Sequence, residues 1–245
     1  MKKRINIMVA LIMVLSLVAC ANTINTEKSV NTSKGLILEI PQLPENTSYF
    51  ELNILPDHGG YAYPLIKIVY NNYDTNKIKE IICPFADSGK NYVYEIMCIS
   101  KDGEYLGAPV QGVDVKAESG IGEPKFINTP AANYEPETDT MTFTEFPKFN
   151  NEIEDFIKSN DAGTSRWTSY YITKDDENPT EVWSTIFRVD DQYKVFDNDT
   201  ELKNKLKGKT LKFQRFRFEA YLNDIRYIFY LPEDSYNMPE ITITK

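Results

Sequence analysis

The fold class that the sequence predicts is mainly β, arranged as two β-rich units with one or two short helices in the second. Three observations lead there. From residue 35 onward, short runs rich in Ile, Val, Tyr, Phe and Thr are broken by Pro, Gly, Asn and Asp clusters at intervals suited to a β-sandwich. The chain carries 16 Tyr, 13 Phe and 2 Trp among 245 residues, side chains that suit a pleated, half-buried surface. Helical periodicity is confined to two short segments near the start and middle of the second unit.

In the first unit, residues 35–117, strands are expected at 36–40, 49–55, 65–70, 78–83, 92–100 and 110–117. Residues 118–136 hold two glycines and several prolines without periodicity and are read as a linker. The second unit, 137–245, opens with a short strand-like run from Met141 into Pro147 and has further strands at 166–173, 181–189, 211–221 and 225–231. Residues 151–159 place Ile153, Phe156 and Ile157 on one helical face, and 199–206 begin with a cap-like Asp-Thr-Glu. Asn223-Asp224 between two long β-like runs predicts a hairpin.

One stretch carries a resemblance. Phe85-Ala86-Asp87-Ser88-Gly89-Lys90-Asn91-Tyr92, with Tyr94, Ile96 and the turn Lys101-Asp102-Gly103-Glu104, resembles the E–F corner, strand F and F–G turn of fibronectin type III and related immunoglobulin-like domains. The resemblance covers roughly 35–117 and implies a β-sandwich, with Tyr92 as the corner tyrosine bonded back to the corner backbone. Taking 49–55 as strand B, the family's tryptophan is absent there, and the corner has one extra residue.

The amino terminus has a different character. Met1-Lys2-Lys3-Arg4 precedes an apolar run from Ile5 to Ala19, the order of a secretory signal segment. A helix over that run reaches about 22 Å, short of the ~30 Å hydrocarbon core of a bilayer. It ends in Leu17-Val18-Ala19-Cys20, which resembles the lipobox of bacterial lipoproteins. The resemblance implies removal of residues 1–19 as a signal peptide, acylation of Cys20 and attachment to a membrane through lipid rather than a spanning helix. An ordinary signal peptide ending by chance in cysteine is the alternative. Residues 20–34 then form a lipidated cysteine and a polar tether without aromatic residues. Ala21 rather than Asp after the cysteine leans towards the outer membrane in a cell that has one.

Loss of residues 1–19 removes three basic and no acidic side chains, so the formal charge goes from −9 to −12. A chain so acidic repels nucleic acid on average. Lys203, Lys205, Lys207, Lys209, Lys212, Arg215 and Arg217 make one basic stretch, read first as a solvated surface and second as an anion contact. Cys83 and Cys98, an even pair in an oxidising compartment, are expected to form a disulfide; the alternative is two buried free thiols.

Chemistry-bearing motifs are few. His58 is the only histidine, within Asp57-His58-Gly59-Gly60, and reads as an exposed turn; a multi-histidine metal site is excluded. There is no P-loop, Gly-x-Ser-x-Gly elbow or dinucleotide fingerprint, so no cofactor is implied. Asp197, Asp199 and Glu201 alternate like calcium ligands but lack the glycine of an EF-hand loop, and no metal is expected. Trp167, Tyr170, Tyr171 and Trp183 cluster in the second unit and are the candidate ligand-binding residues, with a packed core as the plainer reading. Together these features lead to the expectation of a non-enzymatic, envelope-anchored binding or structural lipoprotein for a glycan or protein partner. The alternative is an extracytoplasmic hydrolase that uses paired carboxylates.

Overall fold

The computed structural model describes residues 35–56, 64–70, 79–111, 115–160, 165–187, 191–197, 199–222, 225–231 and 236–244. The expected signal segment, Cys20, the expected tether, His58, Asn198 and the expected Asn223-Asp224 turn lie outside them.

The protein is mainly β, with antiparallel pairing throughout its sheets and two short helices. Its largest sheet has ten strands. Eight form a continuous path: β11 (Glu181–Phe187), β10 (Arg166–Thr173), β13 (Thr210–Leu222), β14 (Ile225–Tyr230), β3 (Ile66–Tyr70), β2 (Tyr49–Pro56), β5 (Asn91–Ile99) and β6 (Val110–Gln111). β7 (Val115–Lys116) adds to β5 and β15 (Ile241–Thr242) to β13. β1 (Leu36–Glu39) pairs with β4 (Glu80–Cys83), and β8 (Ala131–Glu135), β9 (Thr140–Glu145) and β12 (Gln192–Lys194) make a third sheet in the order β12-β9-β8.

Period-two alternation gives the large sheet one apolar face from end to end. Along the register, Val182, Trp167, Phe218, Phe229, Ile66, Ile54 and Tyr94 all lie on that inner side and are buried. A second layer covers it: β1 and β4 through Leu36, Leu38, Ile81 and Cys83, helix α1 (Asn151–Asn160) through Ile153 and Ile157, and β9 through Met141 and Phe143. Phe85 joins the layers, with ring centroids 4.7 Å from Phe229 and 5.4 Å from both Tyr227 and Phe156. Both helices start on side-chain caps. Asn150 Oδ1 accepts from the Ile153 amide at 2.9 Å, and Asp199 Oδ1 accepts from Leu202 at 2.9 Å at the head of α2 (Thr200–Lys205).

Two sequence expectations need correction here. The boundary at 118–136 does not divide the molecule, because β14 pairs with β3 from Ile225↔Tyr70 to Phe229↔Ile66. Residues Lys34–Lys245 form one compact unit. The proposed linker is itself stitched down. Ile121 and Gly122 amides donate to Pro84 and Ala86 carbonyls at 2.9 and 3.1 Å, and a Cβ on Gly120 would stand 2.0 Å from the Ala86 oxygen, so only glycine fits that approach. β8 begins within the same segment.

The second correction concerns Cys83 and Cys98, which are free thiols. Their strands belong to different sheets: Cys83 faces Leu36 on β1, whereas Cys98 faces Phe50 on β2. Both sit in the core. Burial pushes the Cys83 thiol up to about 12 and raises that of Cys98, which keeps them protonated and unreactive at neutral pH.

Candidate functional site

The structure separates the four aromatic candidates by face. Trp167 and Tyr171 point inward with Ser169, and are 2% and 0% exposed. Trp167 packs 4.5 Å from Phe218 and stacks on Phe149 at 5.3 Å, so it is a core side chain. Burial drives the Tyr171 hydroxyl well above its ordinary range, which holds it neutral. Neither residue is placed to meet a ligand.

Tyr170 and Trp183 sit on the outer face, directly opposite each other on β10 and β11. Their rings stack with centroids 4.1 Å apart and planes inclined by 28°. Trp183 remains 38% exposed, while Tyr170 is buried beneath its neighbours. Two arginines from β13 cover the pair: the Arg215 guanidinium lies 5.4 Å from the Tyr170 ring centre and that of Arg217 lies 5.4 Å from the Trp183 ring. Alternation on β13 is the cause, since Arg215, Arg217 and Glu219 occupy successive outward positions opposite Tyr170, Thr168 and Arg166.

Glu181 locks the geometry. One carboxylate oxygen accepts from the Tyr170 hydroxyl at 2.8 Å, and the other from Trp183 Nε1 at 3.0 Å. These two donors, with the Arg215 charge, hold the Glu181 carboxyl below its usual range. At the other end of the row, Glu219 is 1% exposed and bonded to Arg166 at 3.0 Å and Arg217 at 2.6 Å. The buried carboxylate thus fixes Arg217, and Arg217 caps Trp183. The result is a ladder in which two stacked aromatic rings each have a guanidinium beside them, held by carboxylates at both ends. Such a surface presents a partly exposed indole beside guanidinium groups at one place.

A separate cleft of about 180 Å³ is lined by Thr138, Asp139, Lys194, Phe196, Asp199, Thr200 and Lys203. Its carboxylates already serve the fold. Asp139 accepts from the Tyr134 hydroxyl at 2.8 Å and the Phe196 amide at 3.1 Å, and Asp199 caps α2. Among the described residues, no group of three or more His, Cys, Asp or Glu is arranged to hold a metal ion. The basic stretch is divided: Lys203 and Lys205 lie on α2, Lys209 pairs with Asp176 at 2.6 Å, and Arg215 and Arg217 belong to the ladder.

Sequence reasoning singled out the aromatic half of this site and placed Arg215 and Arg217 in a basic stretch read first as solvated surface, without joining the two. Arg215-Phe216-Arg217-Phe218-Glu219 alternates charge with phenylalanine, and that signal marks a strand with one buried apolar face and one charged face. No protein-family model and no curated protein matches the chain.

Proposed function

We propose that this protein is an extracytoplasmic, lipid-anchored binding module that recognises a glycan or protein partner through the outer-face ladder of Trp183, Tyr170, Arg215 and Arg217. One observation carries the reading: a large aromatic ring stays 38% exposed yet is oriented by the stacked Tyr170 ring, the nearby Arg217 guanidinium and a hydrogen bond at its edge. A tryptophan needed only for stability goes to the core, as Trp167 does. Pre-organised aromatic and arginine side chains are the groups that concentrate binding energy at recognition surfaces.

The anchor is proposed from Leu17-Val18-Ala19-Cys20, with lipid on Cys20 placing the protein in the cell envelope. A Cys20→Ala variant that still incorporates labelled fatty acid refutes it. The immunoglobulin-like kinship of the first half is likewise a proposal. Supporting it are the pairing of β1 with β4, the path β3-β2-β5-β6, and the Tyr92 hydroxyl, which accepts from the Asp87 amide at 2.8 Å. In that correspondence β1, rather than β2, takes the place of strand B. Kinship of fold leaves the role to the ladder.

The test is an array of glycans and envelope proteins probed with the full chain and with Trp183→Ala, their folding matched by circular dichroism. Specific binding that disappears in Trp183→Ala is the expected result. Full retention in the variant, or no specific binding by the wild type, overturns the ladder as a recognition surface.

A further inference from the structure

The ladder occupies a part of the sheet whose charge runs against that of the chain. Outward positions on β10, β13 and β14 carry Arg166, Arg215, Arg217 and Arg226, the last opposite Tyr221 and next to the Glu219 row. On the same face of these strands and of β11, the carboxylates among the described residues are Glu181 and Glu219. Both are already committed. Glu181 accepts from the Tyr170 hydroxyl and Trp183 Nε1, and Glu219 is shared between Arg166 and Arg217. The Nε groups of Arg217 and Arg226 are sheltered from solvent and have no acceptor among the described residues. Four guanidinium groups therefore face two carboxylates on a chain whose formal charge is −9. A surplus of partly desolvated guanidinium favours a ligand that brings acceptor oxygens and negative charge.

Two further observations narrow the class. The cationic patch is local, so an extended polyanion or an anionic membrane surface would also meet the acidic remainder of the chain and be repelled by it. A ligand with a few charges fits better. The exposed apolar area is also small. Among the described residues, Trp183 is the large apolar side chain well exposed on these strands; Ile37, Tyr105, Val110 and Ile127, the others so exposed, lie elsewhere in the chain. One ring does not supply the apolar core of a protein interface. It is enough to pack against a single sugar.

We propose that the ladder, given that it is the recognition surface proposed above, binds an acidic glycan through a hexuronate unit, whose ring rests against the exposed part of Trp183 and whose carboxylate pairs with Arg215 and Arg217. The Arg217 guanidinium carbon lies 5.4 Å from the Trp183 ring centre, within reach of one monosaccharide, so a single unit engages both. A planar carboxylate accepts two parallel hydrogen bonds from a guanidinium and carries the charge the patch lacks; an ester of the same sugar carries none.

Isothermal titration calorimetry of the full chain in a neutral detergent tests this with short galacturonate and glucuronate oligomers and with their methyl esters, which keep the rings and lose the charge. An acid is expected to bind roughly tenfold or more tightly than its ester, the scale of a hydrogen bond to a charged group. Arg215→Gln should erase most of that preference, and Trp183→Ala should weaken both forms, with folding of each variant matched by circular dichroism. Free sn-glycerol 3-phosphate, a lipid-headgroup probe, should not displace the acids. No binding of either acid, equal binding of acid and ester, a full preference kept by Arg215→Gln, or displacement by sn-glycerol 3-phosphate at equal concentration overturns the hexuronate and leaves the ladder to its own test. Acid binding unchanged in Trp183→Ala overturns the ladder itself.

Discussion

Trp167 and Trp183 lie on adjacent strands of one sheet and meet opposite fates. Trp167 is enclosed by Phe149, Phe218 and Phe126, with its indole nitrogen buried and unpartnered. Trp183 keeps its nitrogen bonded to Glu181 and one face under Arg217. The inner ring is held by packing alone and tolerates an unpaired donor. The outer ring is held by directed interactions and keeps area free. The lesson is that an aromatic cluster in a strand-rich sequence is two populations, and only the polar partners of each ring tell them apart.

The comparison predicts a graded set of effects. Trp167→Ala opens a large cavity and should cost about 3–5 kcal/mol in urea unfolding. A loss no greater than that of a surface substitution would put Trp167 outside the core. Glu219→Gln keeps the shape but leaves Arg166 and Arg217 without their shared carboxylate. We expect roughly 1.5–3 kcal/mol of destabilisation, the range for hydrogen bonds to charged groups, together with a red shift of Trp183 emission as Arg217 loses its fixed position. Trp183→Ala should cost no more than about 1 kcal/mol, the scale of an exposed cation–π contact, while removing ligand binding. Thermal unfolding that falls as far as in Trp167→Ala would erase the distinction between the faces.

The smallest effect is a spectroscopic one with pH. The Glu181 carboxyl is held low by its two donors and the nearby Arg215, so its interactions with Trp183 and Tyr170 are complete above the ordinary carboxylate range. They are lost only as pH falls through the depressed value, because protonation weakens acceptance from Trp183 Nε1 and the Tyr170 hydroxyl. Trp183 fluorescence should therefore titrate with a midpoint below that of a free glutamate. Glu181→Gln should abolish the step; a step that survives this substitution would assign the titration to another group.

Much of the fold was legible because strand alternation is local. The runs at 36–40, 49–55, 65–70 and 92–100 correspond closely to β1, β2, β3 and β5, and both helices formed where expected, α1 on its Ile153 and Ile157 face and α2 behind the Asp199 cap. Partner choice was not legible. Nothing in Leu65 to Tyr70 says that its neighbour will be Ile225–Tyr230, since pairing is decided by shape across the whole core rather than by either segment. The disulfide expectation failed for the same reason: closeness in sequence placed Cys83 and Cys98 on successive strands, but those strands entered different sheets. At the site, Arg166–Thr173 carries aromatic residues at both odd and even positions, so alternation alone could not decide which of Trp167, Tyr170 and Tyr171 faced out.

The β3–β14 seam also sets an order of events for a chain delivered from its amino terminus. Until Tyr230 has emerged, β3 has no neighbour on that side, and Ile66 and Ile68 lack the Phe229 and Tyr227 rings that oppose them. The first half therefore cannot finish folding ahead of the second. Closing so long a loop makes the final docking of β14 a slow step, and a chain truncated before residue 225 keeps a sticky, half-built sheet exposed to chaperones and proteases.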